Sequence, residues 1–525
     1  MHIQFKLIDH PMKKTTLFCL ALIAANTIFS QDIQKTPKKQ TQLIFGAIDY
    51  MSIQMPLDED GNPEINMGVT GIHYNLWMNK SFYTGLGFYG SVNGKRGGMF
   101  TLGINAGVRK ALTKKTFVDA GIHIGGGGGA STPDGGGAFL LPHINIGYQF
   151  KNFSTTFGYS HINFFDKGNI NNRQFRLGIQ LPLSFEHAAF TEKETVFTTK
   201  EIKSSGWNQF SKRISMLLHV NSLSPYGNSQ LSDGRSLKGK TIRLAGFEFD
   251  TYLTDHWFAF FKADGAFHGI RGGYMDLFLG GGYHFSMNKN RTNILAKFGL
   301  GAGGGGGADT GGGFLIYPDL SIEQQLYKNT YLSLNKGYLM NPNNHFSSTT
   351  FGIGLKYYID HSGLQSEDSK TTKYLFKGLE ITIGQEMYID AKRMLQPTEN
   401  LHQIALQFNA FISKNIYIAG HTSFANFGNA GAYAEGLVGL GYQSKPIFNN
   451  HLELFTQVVA GASGGGDISS GQGLIIKPSI GLNYKITEAL KLRSSVGRVK
   501  AKAGELSSTS LTLGLNYNIS FLTAH

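Results

Sequence analysis

Three stretches of this 525-residue chain share one pattern: GIHIGGGGGASTPDGGGAFLLP (residues 121–142), GLGAGGGGGADTGGGFLIYP (299–318) and VAGASGGGDISSGQGLIIKP (459–478). Each starts as an alternating apolar strand, passes into a glycine run, turns, and returns as an apolar strand carrying a proline. The glycines are Gly125, Gly126, Gly127, Gly128 and Gly129, then Gly303, Gly304, Gly305, Gly306 and Gly307, then Gly464, Gly465 and Gly466; the prolines are Pro142, Pro318 and Pro478. A rare motif recurring at wide intervals is the mark of an internal repeat, so the chain reads as three copies of one unit. A second echo closes each copy: RLGIQLPLSF (176–185), FGIGLKYYI (351–359) and LTLGLNYNISF (511–521), with Gly178, Gly354 and Gly514 inside.

Working outward through the first copy, strands are predicted near 42–55, 67–78, 81–94, 99–112, 116–130, 137–150, 153–164 and 173–185. The breaks alternate. Asn79-Lys80, Thr113 to Lys115 and Lys151-Asn152 are tight, whereas Pro56 to Asn66, Lys95 to Gly98, Ser131 to Gly136 and Phe165 to Asn172 are longer. Short turns at one end and longer loops at the other are the pattern of membrane barrels.

Within strands, Phe100, Leu102, Ile104, Ala106 and Val108 alternate with Thr101, Gly103, Asn105, Gly107 and Arg109. Period two does not itself say which face is inside. The polar set does: Arg109, Asp119, His123, His143 and Asn145 would be costly in a dry core and suit a polar bore. The expected fold is therefore all-β, with transmembrane antiparallel up-and-down β-barrels in three tandem eight-strand repeats. The repeats are placed at 42–185, 213–359 and 378–521, joined by charged linkers at 186–212 and 360–377 on the short-turn side.

One 24-strand barrel is the alternative. A continuous sheet would join the copies by tight turns, which the linkers are not. Inward Gly85, Gly87, Gly103, Gly107 and Gly121 also fit a narrow bore, where side chains are crowded.

Composition agrees: Gly 69, Phe 39 and Tyr 23 against 16% charged residues favour strands and turns over helices. The single cysteine, Cys19, lies in the apolar run Leu17 to Ile28 behind Lys13-Lys14, so residues 12–30 read as a cleaved signal peptide. No later stretch offers 18 consecutive apolar residues, so no spanning helix is expected. The expected location is the outer membrane. The formal charge of +13 places Lys95, Arg96, Lys167, Arg235, Lys238, Lys240 and Arg271 on the longer loops, facing anionic lipopolysaccharide. No recognition fold accompanies that charge, so nucleic acid is not implied.

The strand pattern over 42–521 resembles small outer-membrane β-barrel proteins of the OmpA/OmpX type, three of them fused. The resemblance implies that Phe521, followed by the tail Leu522 to His525, is a C-terminal assembly signal read by the barrel-assembly machinery. No peptidoglycan-binding domain is expected with this pattern.

The glycine runs lack the Lys-Ser/Thr ending of a phosphate loop and are expected to be structural hairpins, where the strand bends at the barrel rim. In Tyr159-Ser160-His161-Ile162-Asn163, with Asp166 beyond, His161 matches the His-x-Ser of lipid A deacylases. Asn163 holds the nucleophile's place, and Ser160 points to the opposite face. His73, His123, His143, His219, His256 and His268 show no metal-type spacing. The expectation is a non-enzymatic protein with no cofactor and no metal, serving envelope structure or surface interaction. A porin-like pore and a lipid A-modifying enzyme are the alternatives.

Overall fold

A computed structural model describes residues 38–57, 61–207, 212–361 and 373–524. The 12–30 signal peptide lies outside the described residues. The first copy comprises β1 (Gln40–Ile53), β2 (Met67–Trp77), β3 (Phe82–Asn93), β4 (Phe100–Ala111), β5 (Thr116–Gly128), β6 (Phe139–Gln149), β7 (Ser154–Phe164) and β8 (Asn171–His187). β9 (Val196–Thr198) and a short helix α1 (Thr199–Ser204) follow within the 186–212 segment.

The second copy is β10 (Lys212–Pro225), β11 (Ile242–Tyr252), β12 (Trp257–His268), β13 (Met275–Met287), β14 (Thr292–Gly304), β15 (Phe314–Tyr327), β16 (Thr330–Met340) and β17 (Ser347–His361). The third is β18 (Lys373–Ala391), β19 (Glu399–Phe411), β20 (Ile416–Phe427), β21 (Ala434–Gln443), β22 (Leu452–Gly464), β23 (Leu474–Lys485), β24 (Leu490–Ala501) and β25 (Ser507–Ala524). Strand therefore enters the 360–377 segment from both ends.

Every neighbour within a copy pairs antiparallel, and first pairs with last: β1 with β8, β10 with β17, β18 with β25. The result is three closed eight-stranded barrels, with β9 added to β18 of the third. The repeated prolines have a common effect. The β6–β7 ladder skips from Leu140↔Asn163 to His143↔Ser160, β15–β16 from Ile316↔Met340 to Asp319↔Gly337, and β23–β24 from Ile476↔Lys500 to Ser479↔Gly497. Each gap holds the proline, which has no N–H to give the ladder.

The walls are inverted relative to a water-soluble sandwich. Large apolar side chains face outward and are exposed, among them Phe175 at 66%, Ile144 at 57% and Ile480 at 61%, while buried Asp, Glu, Lys, Arg and His fill the bores. Such a surface is stable in hydrocarbon and would aggregate in water. Among the described residues no helix is long and apolar enough to cross a membrane.

Inward glycines keep the bores passable to side chains. A Cβ on Gly121 would lie 3.0 Å from the His143 ring, and one on Gly103 would lie 2.7 Å from that of His123.

Candidate functional site

Two constructions distinguish this molecule: what fills each bore, and what joins one barrel to the next. The bores are filled by buried charge pairs, between neighbouring strands in barrel 1 and also between non-adjacent strands in barrels 2 and 3.

In barrel 1, Arg176 donates to Asp49, which also accepts from His73 at 2.7 Å. Asn105 links the rings of His73 and His123, at 3.1 and 2.7 Å. Below them Asp119 accepts from Arg109 at 2.9 Å and from the Tyr83 hydroxyl at 2.9 Å.

Barrel 2 carries three buried lysines, each between two carboxylates. Lys262 meets Asp264 and Asp276, the latter at 3.5 Å; Lys297 meets Glu248 at 2.9 Å and Asp319 at 3.1 Å; Lys356 meets Asp250 at 2.7 Å and Glu323 at 2.8 Å. His219 adds a 2.6 Å contact to Asp264.

In barrel 3, Lys477 reaches Glu386 at 2.8 Å, Glu435 at 2.5 Å, His421 at 3.0 Å and the Tyr388 hydroxyl at 3.1 Å. A lower layer joins Lys491 to Glu453 at 2.6 Å and to Glu380 at 3.3 Å. Between the layers, small polar residues such as Thr382, Ser495 and Ser510 leave a void of about 20 Å³, room for one water.

Burying such charges is unfavourable unless each is paired, and each of these has an oppositely charged partner, although Asp276 Oδ1 and Glu323 Oε1 make no hydrogen bond. Among the described residues, Glu386, His421 and Glu435 bring ligand-type atoms within 4.8 Å of one another. The Lys477 ammonium sits among them, so a cation of the chain itself fills that position.

The seam between barrels is built on the glycine runs. The third strand of each barrel packs against the fifth strand of the next: β3 on β14, β12 on β22, β20 on β5. One backbone hydrogen bond recurs at all three junctions: Gly97 N–H to Gly311 O at 2.9 Å, Gly272 to Gly471 at 3.0 Å, and Gly431 to Gly135 at 3.1 Å. A head-to-tail contact used three times closes a ring, here within a single chain.

The equivalent residues Gly128, Gly304 and Gly464 lie against the partner backbone with φ of 154°, 151° and 156°. A Cβ on Gly304 would lie 2.6 Å from the Gly97 carbonyl, and one on Gly464 would fall on the carbonyl carbon of Gly272. Phe100 and Leu102 of barrel 1, Leu277 and Ala302 of barrel 2, and Ile404, Leu406 and Phe424 of barrel 3 form one apolar cluster beneath.

Asp134 sits in this seam, its carboxylate accepting from the Gly129 N–H at 2.9 Å. Burial pushes its pKa up to about 7, against the opposing effect of that hydrogen bond and of Arg96. A carboxyl raised above its unfolded value contributes stability in acid and loses it as pH rises toward the folded value. Thermal stability in micelles is therefore expected to fall between pH 4 and pH 7, by up to about 4 kcal/mol. Asp134→Ser, which copies Ser470 of barrel 3, should flatten that dependence; an unchanged slope in the melting temperature would contradict the assignment.

The reactive-looking segment does not converge. His161 faces outward and contacts Asn171 Oδ1 at 2.5 Å, whereas Ser160 is buried in the bore and accepts from Gln174 at 3.0 Å. Asp166 accepts from Gly428 N–H of barrel 3 at 2.9 Å, as a seam group. Of the loop cations, Arg96 is taken up by Glu64 at 2.8 Å and by carbonyls of Ala130 and Ser131, and Lys167 by Asn429. Lys95, Lys238, Lys240 and Arg271 are exposed. Phe521 pairs with Lys377 in the β18–β25 ladder.

No family model matches the chain. No curated protein matches it either. Among solved structures, OccK5 (OpdH) of Pseudomonas aeruginosa aligns at 9% identity over 92% of this chain and 98% of its own, with a TM-score of 0.21. The siderophore receptor PirA from the same organism aligns at 9% identity over 92% and 81%, with a TM-score of 0.26. OccAB3 of Acinetobacter baumannii aligns at 12% identity over 92% and 99%, with a TM-score of 0.21. Scores this low carry no argument about the arrangement or the activity of this chain.

Proposed function

We propose that the chain is an integral outer-membrane protein whose three fused barrels act as a rigid, non-conducting unit in envelope structure or surface interaction. The observation that supports this reading is the buried charge pairing, which leaves each barrel's interior occupied by side chains. A solute would have to break several buried ion pairs in succession, each costing about 3–5 kcal/mol when one partner is lost. The apolar outer walls match a bilayer, and the exposed Lys95, Lys238, Lys240 and Arg271 offer cations to lipopolysaccharide phosphates on the longer-loop side. Phe521 would be read by the barrel-assembly machinery during insertion. The lipid A-modifying alternative lacks a nucleophile beside His161.

Planar-bilayer recording of the purified protein tests the reading against a porin-like pore. The expected record has no stable conductance steps at moderate voltage. Large, stable steps in multiples of three would overturn the non-conducting assignment.

A further inference from the structure

The short-turn mouths of the barrels are closed by a cation laid on aromatic rings, but not by the same means. In barrel 1 the Arg109 guanidinium lies 4.7 Å from the Phe45 ring, 5.0 Å from Trp77 and 4.2 Å from Phe117. In barrel 2 Arg213 lies 5.2 Å from Tyr252 and 5.5 Å from Tyr358. Both closures use only the barrel's own strands.

Barrel 3 borrows its closure from the segment that joins barrels 1 and 2. Lys193 lies 3.8 Å over the Phe411 ring and 4.6 Å over Phe190, and Phe190 packs edge-on against Phe411 at 5.5 Å. From the barrel's side, the Lys491 ammonium lies 4.7 Å from Phe190. Room for these side chains comes from Gly378 of β18, where a Cβ would stand 2.7 Å from Lys193 Cδ and 3.0 Å from the Phe190 ring.

The same segment also holds the pair of strands that closes the barrel. β24 pairs with β25 only as far as Leu490↔Tyr517, and β19 pairs with β18 only from Ala410↔Leu379. Beyond those points each strand would present a bare edge. Ala188 exchanges two backbone hydrogen bonds with Ser520, at 2.8 and 3.0 Å, and β9 pairs with Lys373 to Leu375. Both edges are thereby satisfied. Ala188, Phe197, Ile202 and Trp207 complete a small core with Tyr374, Phe376 and Leu522.

We propose that residues 188–207 are a built-in plug and clamp for barrel 3, so that closing the last barrel depends on a strap delivered with the first. Unpaired strand edges are unfavourable and adhesive, and the strap covers the two that flank the closing pair. Because Ala188 directly follows β8, the strap is positioned by barrel 1 and reaches barrel 3 without passing through barrel 2.

The test uses the full chain in two variants. Replacing residues 188–207 with a Gly/Ser linker of equal length should leave barrels 1 and 2 resistant to protease. The 373–524 fragment should become sensitive and lose its heat-modifiable migration. A protease-resistant barrel 3 in this variant would overturn the clamp.

Gly378→Leu, which fills the bore position under the strap, is read in a W77F/W257F background where Trp207 is the single indole. The expected result is a red shift of Trp207 emission and at least tenfold faster trypsin cleavage after Lys193, with barrels 1 and 2 unaffected. Unchanged emission together with a protected Lys193 would overturn the plug.

Discussion

Gly464→Val is expected to detach barrel 3 from barrel 2 while leaving both barrels closed. The substitution would be felt in three ways. A valine at φ of 156° is strained by about 1–3 kcal/mol. Its Cβ falls on the Gly272 carbonyl carbon, so the two backbones must part, an overpacking cost of about 1–3 kcal/mol. Parting them also loses the Gly272–Gly471 hydrogen bond, worth about 1 kcal/mol.

Together, about 3–7 kcal/mol bears on one junction of three. Gly420→Val is the matched control. Gly420 lies on the same barrel, has open space where a side chain would go, and should tolerate the change. The readout is cross-linking between cysteines placed across the β12–β22 junction, alongside heat-modifiable migration. Retained cross-linking in Gly464→Val would show that the seam is not held by backbone contact.

Strand limits were legible in the sequence because period-two alternation and turn residues act locally. The predicted 116–130 and 153–164 are observed as Thr116–Gly128 and Ser154–Phe164. The polar character of the bore was legible at Arg109 and Asp119, since a charge inside an alternating strand has few stable places to point. The partners of such charges were not. Lys477 lies 91 residues from Glu386 and 42 from Glu435, and nothing local in β23 announces either.

The glycine runs were read for their effect on their own strand. Their second neighbour, the backbone of the next barrel, is a property of the assembled ring. The 186–212 segment looked like a tether because Glu, Lys and Thr dominate it. Its sparse apolar residues, Phe190, Phe197, Ile202 and Trp207, were the available sign of a docked strap, and Phe190 lies 330 residues from the Ser520 it adjoins.

Lys356→Met in barrel 2 should be the most damaging single change inside a bore. Methionine matches the lysine stem in volume, so packing against Phe258 and Tyr358 is largely kept and the charge alone is removed. Asp250 and Glu323 then face one another without a cation, retaining only the Ser215 and Tyr358 hydroxyls at 2.7 and 2.6 Å. Breaking one partner from a buried pair costs about 3–5 kcal/mol, because the remaining charge is stranded in a low dielectric. Urea unfolding followed by tryptophan fluorescence should show the unfolding free energy fall by that amount, as a lower midpoint at unchanged slope.

The triple variant Lys356→Met, Asp250→Asn, Glu323→Gln should recover most of the loss, since it leaves no unpaired charge behind. Arg235→Met, which breaks the fully exposed Arg235–Asp233 pair, should leave the unfolding midpoint unchanged. A Lys356→Met protein as stable as the unmodified chain would mean the bore is hydrated enough to solvate two free carboxylates. In that case the non-conducting assignment would fall with it, since water that can screen those charges is also a path for ions.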